Sequence, residues 1–153
     1  MAKVRKVAAT PTAVAWIGVA DDDERRLQLS LRRPGGAFTR ALTPDQSGEP
    51  AFDVAAAGAG GRQLVAWPAH ERSTRRIQLL TLDPSGTVSE PRWLTGTERG
   101  ATSPALAMAA DGTGVVAWLD GMPSGIVTAA GVAQDGAAGP ARRSTPSPAR
   151  RAA

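Results

Sequence analysis

The tripeptide Val-Ala-Trp occurs three times in the chain, and its recurrence restricts the fold more than any other feature. The tryptophans of the three copies are Trp16, Trp67 and Trp118, and each is followed by the next after 51 residues. A fixed spacing of this length indicates a repeated supersecondary unit, because stacked repeats bury a continuous core between neighbours. The chain of 153 residues therefore divides into three copies of one unit.

The residues around each tryptophan predict four short antiparallel strands per copy. The apolar stretches that lead to each tryptophan are interrupted by the turn sequences ATPT, GAGGR and DGTG. The next segments, RRLQLSLRR, RRIQLLTLD and GIVTAAGVA, are predicted as strands, and the first two alternate clearly, as strands with one buried face do. Gly36, Gly86 and Gly136 then mark a second turn at a spacing of 50 residues. Prolines in the last segment of copies two and three favour an edge strand.

A four-stranded unit of about 50 residues resembles the blade of a β-propeller. The segment AADGTGVVAW is similar to blades of TolB and WD-repeat propellers. It lacks the Trp-Asp dipeptide of WD repeats, the double glycine of kelch repeats and the aromatic spacing of the sialidase Asp-box, so no particular family is indicated. The resemblance implies an all-β fold, a partial β-propeller whose three four-stranded antiparallel blades lie at about 1–43, 50–95 and 104–144. A disordered basic tail is expected over 145–153. The Val-Ala-Trp tryptophans are expected to pack between neighbouring blades.

Three blades are too few to close a ring, since propellers typically have about four to eight. Both end blades would expose an apolar face to water. Two arrangements remain open. We favour a homodimer in which two half-rings complete a six-bladed propeller with two-fold symmetry. The alternative is that the chain is a fragment of a longer propeller.

Composition excludes several classes of chemistry. The chain has no cysteine, which excludes disulfides and thiolate metal sites. Its net charge of +4 equals the charge of four arginines near the C-terminus, and we expect a solvated arm there rather than nucleic-acid binding. No apolar run reaches the roughly 18 residues of a membrane-spanning helix, so no membrane partner is expected.

Residues 1–20 also resemble a secretory signal, with Lys3, Arg5 and Lys6 ahead of an apolar stretch. Trp16 obeys the repeat spacing, which favours the first blade instead. The compartment depends on this choice. It is cytoplasmic if these residues belong to the first blade, and the protein is secreted if they are a signal.

Propellers usually place their sites on the loops that join the second strand to the third and one blade to the next. The candidate ligand-binding residues in such loops are Asp21, Asp22, Asp23, His70, Glu71, Glu98, Arg99 and Asp120. The acidic run lacks the alternating ligands of an EF-hand, and a single histidine cannot form a multi-histidine zinc site. We therefore predict no metal, no cofactor and no catalytic residue, and we expect His70 to be an exposed loop residue.

These features predict a non-catalytic binding or scaffold module that contacts a protein or a glycan through its rim loops. One alternative is a glycan-active or other small-molecule enzyme that uses the rim carboxylates Asp21, Glu98 and Asp120. A sialidase is excluded, because the chain has no tyrosine to serve as nucleophile. The other alternative is a propeller fragment without an independent function.

Overall fold

The protein is all-β in the computed structural model, as the sequence predicts. The structure describes residues 3–19, 24–33, 35–44, 51–71, 73–96, 100–121 and 125–144. These residues form eleven strands and no helix. The strands are β1 (Lys3–Thr10), β2 (Ala13–Val19), β3 (Arg25–Leu31), β4 (Ala55–Ala59), β5 (Arg62–Glu71), β6 (Thr74–Leu82), β7 (Arg92–Trp93), β8 (Ala101–Met108), β9 (Gly114–Asp120), β10 (Ile126–Val132) and β11 (Arg142–Arg143).

The strands form three antiparallel sheets, one for each copy of the repeat. Sheet 1 has the order β1-β2-β3, sheet 2 the order β4-β5-β6-β7 and sheet 3 the order β8-β9-β10-β11. Within each sheet every strand pairs with the next along the chain, which confirms the predicted hairpins. The three tryptophans occupy one register position on the second strand, and the residues opposite them on the third strand are Gln28, Gln78 and Thr128.

The prediction of a fourth strand in every unit is wrong for sheet 1, which has three strands, and the fourth strands of sheets 2 and 3 are very short. β7 and β11 are two residues long, and in sheet 1 the fourth position is reduced to the bridges Leu29–Leu42 and Arg32–Phe38. Pro91 and Pro140 precede the two short strands and cannot donate to a ladder. Short, interrupted edges also protect a sheet from pairing with other chains.

The third unit begins earlier than its predicted start at 104, because β8 begins at Ala101. A proline within the strand obscures the pattern in the sequence. The register shifts by one residue between Thr102 and Ala105, and Ser103 has a φ of 52°. Such a bulge accommodates Pro104, since its residues do not all take part in the ladder.

The sheets stack face to face and share two apolar cores. The first interface, between sheets 1 and 2, buries Ala15, Leu27, Leu29, Val65, Trp67 and Leu80. The second interface, between sheets 2 and 3, buries Leu64, Ala66, Ile77, Leu79, Val116 and Trp118. Sheet 2 is covered on both faces, so β5 is buried continuously from Gln63 to Ala69. In β2 burial alternates instead, because sheet 1 is covered on one face.

The first strand of each sheet contributes to the contacts between sheets: β1 contacts β4, and β8 contacts β4, β5 and β6. Hydrogen bonds join the sheets at the end that carries the β1–β2, β4–β5 and β8–β9 turns, which we call the turn edge. There Gln63 bonds Thr10 and Thr12 across the first interface. Arg62 bonds the carbonyl oxygen of Gln134 across the second. The opposite end, where β2, β5 and β9 finish, is the loop edge.

Candidate functional site

The predicted ligand-binding residues divide into two groups. Asp21, Asp22, Asp23, Glu98 and Arg99 lie outside the described residues. His70 and Glu71 are the last two residues of β5, and Asp120 is the last residue of β9. All three lie at the loop edge, but they belong to strands and not to loops.

His70 is a half-buried packing residue, so the prediction of an exposed loop histidine is wrong. β5 and β6 stay paired as far as Glu71, which holds His70 in the sheet. Its ring centroid is 4.8 Å from that of Phe52, and Arg75 Nε donates a hydrogen bond to its Nε2 at 3.2 Å. The guanidinium groups of Arg25 and Arg75 lie 5.4 Å and 4.9 Å from the Phe52 ring centroid. His70 therefore belongs to an aromatic and cationic cluster.

Glu71 also has a structural partner. It pairs with Arg76, whose side chain is only 13% exposed. The Arg76 guanidinium lies 4.7 Å from the centroid of the Trp93 ring, and its Nε donates to the carbonyl oxygen of Thr95 at 2.7 Å. Arg76 therefore fixes the chain that follows β7, and Glu71 holds Arg76 in place.

An open cavity of about 520 Å³ lies at the loop edge of the second interface, and we call it the inter-sheet crevice. Residues that follow β7 form one wall, and residues of sheet 3 form the other. The lining residues are Leu94, Thr95 and Gly96 on the first wall and Trp118, Asp120, Thr128, Ala141 and Arg143 on the second.

The crevice contains an ion pair and an unsatisfied hydroxyl group. Arg143 Nη2 is 3.7 Å from Asp120 Oδ2, and the aspartate side chain is 15% exposed while the arginine side chain is 53% exposed. Thr128 Oγ1 is buried and has no hydrogen-bond partner among the described residues. An unsatisfied buried hydroxyl costs about 1–3 kcal/mol, and buried polar groups rarely lack partners. This hydroxyl is the group in the crevice that packing does not explain.

Sequence reasoning found one member of this set, Asp120, and missed Thr128 and Arg143. Arg143 is one of the four arginines near the C-terminus for which the sequence predicts a solvated arm, but it pairs with Thr128 as part of β11. A comparison of the repeat copies could have indicated both residues. Fifty residues earlier the same two positions hold Gln78 and Trp93, so the third copy departs from the second at both.

No protein-family model matches the chain, and no curated protein matches it. Within the described ranges no three histidine, cysteine, aspartate or glutamate residues lie close enough together to hold a metal ion. The same part of the chain contains no helix that is long and apolar enough to cross a membrane. The crevice is therefore the feature of the described residues that bears on function.

Proposed function

We propose that the chain is a three-bladed, propeller-type binding module whose ligand occupies the inter-sheet crevice. Three stacked antiparallel meanders, of three, four and four strands, recur about every 50 residues and are compatible with consecutive propeller blades. Propellers host many unrelated activities, so the fold alone does not choose among them. The crevice supplies the argument for binding.

The unpartnered hydroxyl of Thr128 beside the Asp120–Arg143 pair is the observation that carries the proposal. A carboxylate accepts hydrogen bonds, a guanidinium donates them, and a hydroxyl does both. A ligand that also donates and accepts at neighbouring atoms would satisfy all three groups. Sugar hydroxyls have this property, and Leu94 and Trp118 add apolar surface. Of the two ligand classes that the sequence suggests, we therefore favour a glycan over a protein.

Binding is favoured over catalysis because of the carboxylates. A glycosidase needs two carboxyl groups about 5–9.5 Å apart. Among the described residues that line the crevice, Asp120 is the one carboxylate, and Arg143 already pairs with it. The enzyme alternative requires Asp21 or Glu98, which lie outside the described residues.

A glycan panel tests the proposal. We expect the chain to bind a subset of immobilised glycans, and calorimetry on the best of them should show affinity about tenfold lower for Thr128→Val, which is about 1.4 kcal/mol. Asp120→Asn should weaken binding as well. Asp53→Asn is the matched control, because Asp53 pairs with Lys6, away from the crevice. Wild-type affinity in both crevice variants, or no bound glycan, would overturn the proposal.

The same panel separates the enzyme from the binding module. Asp21→Ala, Glu98→Ala and Asp120→Ala are each incubated with the glycans, and the released sugars are measured. We expect the wild-type chain to release none. Hydrolysis by the wild type that is lost in these variants would establish the enzyme alternative instead.

A further inference from the structure

Sheet 3 exposes an apolar face on the side away from the second interface, which we call the outer face of sheet 3. Alternation along the strands defines it, because Val116 and Trp118 point into the second interface and their neighbours point away. Val115 and Val127 are 45% and 48% exposed on this face. Its central residues are Val115, Ala117 and Leu119 on β9 and Val127, Ala129 and Gly131 on β10. Polar side chains lie only at the flanks of this set, where Thr102 pairs with Leu119 and Arg142 pairs with Ala129.

The same strand positions are buried in the other two sheets. In sheet 1 the residues equivalent to Val115, Ala117 and Leu119, two repeats earlier, are Ala13, Ala15 and Ile17. All three are buried against sheet 2. In sheet 2 the equivalent Leu64 and Ala66 are buried against sheet 3. Each of these faces covers the tryptophan-bearing face of the following sheet. The outer face of sheet 3 therefore has the composition of an interface, and no sheet covers it among the described residues.

Sheet 1 exposes the complementary kind of face on its far side, which we call the outer face of sheet 1. Trp16 lies there at the register position that Trp67 and Trp118 occupy in the two interfaces. Trp67 is fully buried and Trp118 is 4% exposed, but Trp16 is only half-buried. Val7, which lies opposite Trp16 on β1, is 61% exposed.

We propose that a second copy of this chain docks the outer face of its sheet 1 on the outer face of sheet 3, and receives the reciprocal contact. Both internal interfaces pair a tryptophan-bearing face with a tryptophan-free face, and the two exposed faces are one of each kind. A second copy supplies both complements at once. Two identical contacts related by a two-fold axis close into a ring of six sheets and leave neither face exposed. This proposal does not depend on the ligand of the crevice.

The mass of the chain in solution tests the contact. We expect sedimentation equilibrium to give twice the chain mass of 15.7 kDa at micromolar concentration. Ala117→Glu and Trp16→Lys place an unpaired charge in the contact, and each should raise the dissociation constant by at least about a hundredfold. Ala110→Glu, at an exposed position of the turn edge, is the matched control and should remain dimeric.

Mixing the two charged variants tests the pairing of the faces. A mixed dimer has one native contact and one contact in which the ammonium group introduced by Trp16→Lys faces the carboxylate introduced by Ala117→Glu. We expect the two variants to associate when mixed although each alone is monomeric, which also shows that both are folded. A monomeric wild-type chain would overturn the proposal, as would single variants that dimerise like the wild type or fail to associate when mixed.

Discussion

The two interfaces use equivalent repeat positions, but their loop edges differ in chemistry. In the first interface Ala69, Gln78 and Trp93 lie on the face of sheet 2 that packs against sheet 1. In the second, the equivalent positions of sheet 3 hold Asp120, Thr128 and Arg143. An alanine is replaced by a carboxylate, an amide by a shorter hydroxyl, and an indole by a guanidinium. The second interface contains the crevice at these positions.

The residues that determine the fold are therefore different from the residues that we propose to bind a ligand. The alternation of apolar residues and the placement of the turns repeat in all three copies, and they suffice for the sheets to form and stack. The candidate site consists of departures from the repeat. The lack of a partner is not itself a departure, because Gln78 Oε1 at the equivalent position of sheet 2 is also buried without one among the described residues. What distinguishes Thr128 is that it lines the open crevice.

The largest expected effect is the loss of stability when the tryptophan of either interface is replaced. Trp67→Ala should lower the free energy of unfolding by about 3–5 kcal/mol, because a fully buried indole leaves a cavity that its surroundings cannot fill. Trp118→Ala should cost about 1 kcal/mol less, since Trp118 lines the open crevice and water can enter the space. Urea unfolding of the two variants measures the difference. Equal losses would mean that the two interfaces are equally closed.

Trp16→Ala extends this series to the outer face of sheet 1. In the monomer, at concentrations below the dissociation constant, Trp16 is half-buried. Trp16→Ala should therefore lower the free energy of unfolding less than Trp67→Ala or Trp118→Ala. A loss as large as that of Trp67→Ala under those conditions would contradict the exposed position of Trp16.

A second comparison concerns two equivalent glycines at the turn edge. Gly86 and Gly136 both have positive φ, at 86° and 81°. A Cβ at Gly86 would lie 3.8 Å from Leu31 Cδ1, but a Cβ at Gly136 would lie 2.5 Å from Thr81 Cγ2. Gly86→Ala should therefore cost about 1–2 kcal/mol from the backbone alone. Gly136→Ala should cost about 1–3 kcal/mol more from overpacking.

Thermal unfolding of the two alanine variants measures this difference, with Gly86→Ala as the control for backbone strain. If Gly136→Ala is no less stable than Gly86→Ala, the second interface is looser at its turn edge than the geometry indicates.

A third comparison concerns two threonines whose replacement should change the free energy of unfolding in opposite directions. Thr128→Val removes a buried hydroxyl without a partner, so the free energy of unfolding should rise by about 1 kcal/mol while binding weakens. Thr10→Val removes a hydroxyl that bonds Gln63 across the first interface, and stability should fall by about 1–2 kcal/mol. Urea unfolding of both variants provides the measurement. Destabilisation by Thr128→Val would show that the hydroxyl already has a partner in the free protein.

The fold could be predicted largely from local patterns, and the candidate site could not. The spacing of Trp16, Trp67 and Trp118 predicts their equivalent register, since side-chain alternation fixes which face a strand buries. The start of β8 escapes prediction because Pro104 breaks the pattern, and a bulge at Ser103 restores the strand. Edge strands of two residues contain too little sequence to show a pattern at all.

The crevice depends on contacts between distant segments. The sequence predicts Asp120 as a residue of a rim loop, but its pairing with Arg143 requires β11 to form. Thr128 shows no sign of function in the sequence, because a threonine within a strand is ordinary. Its significance arises from burial without a partner, which sequence alone does not reveal.

The smallest expected effect is a pH dependence located in sheets 2 and 3. The Ser85 hydroxyl, followed by the Thr87 amide, lowers the pKa of Asp83 below its ordinary value of 3.8. The Thr113 hydroxyl and amide lower the pKa of Asp111 in the same way. Because both pKa values are lower in the folded protein, their contribution to stability is fully present above about pH 4 and is lost as the pH falls through the folded values. The corresponding turns of sheet 1, at residues 10–13 and 33–36, contain no aspartate.

Asp83→Asn combined with Asp111→Asn should therefore flatten the loss of stability with acid. We expect the urea midpoints of the wild type and the double variant to differ at pH 7 and to converge as the pH falls below about 3, because protonated aspartates no longer contribute. As the pH falls from 5 to 3, hydrogen exchange should detect opening of the turns of sheets 2 and 3 before opening of the β1–β2 turn. Wild-type acid sensitivity in the double variant would mean that acid acts elsewhere.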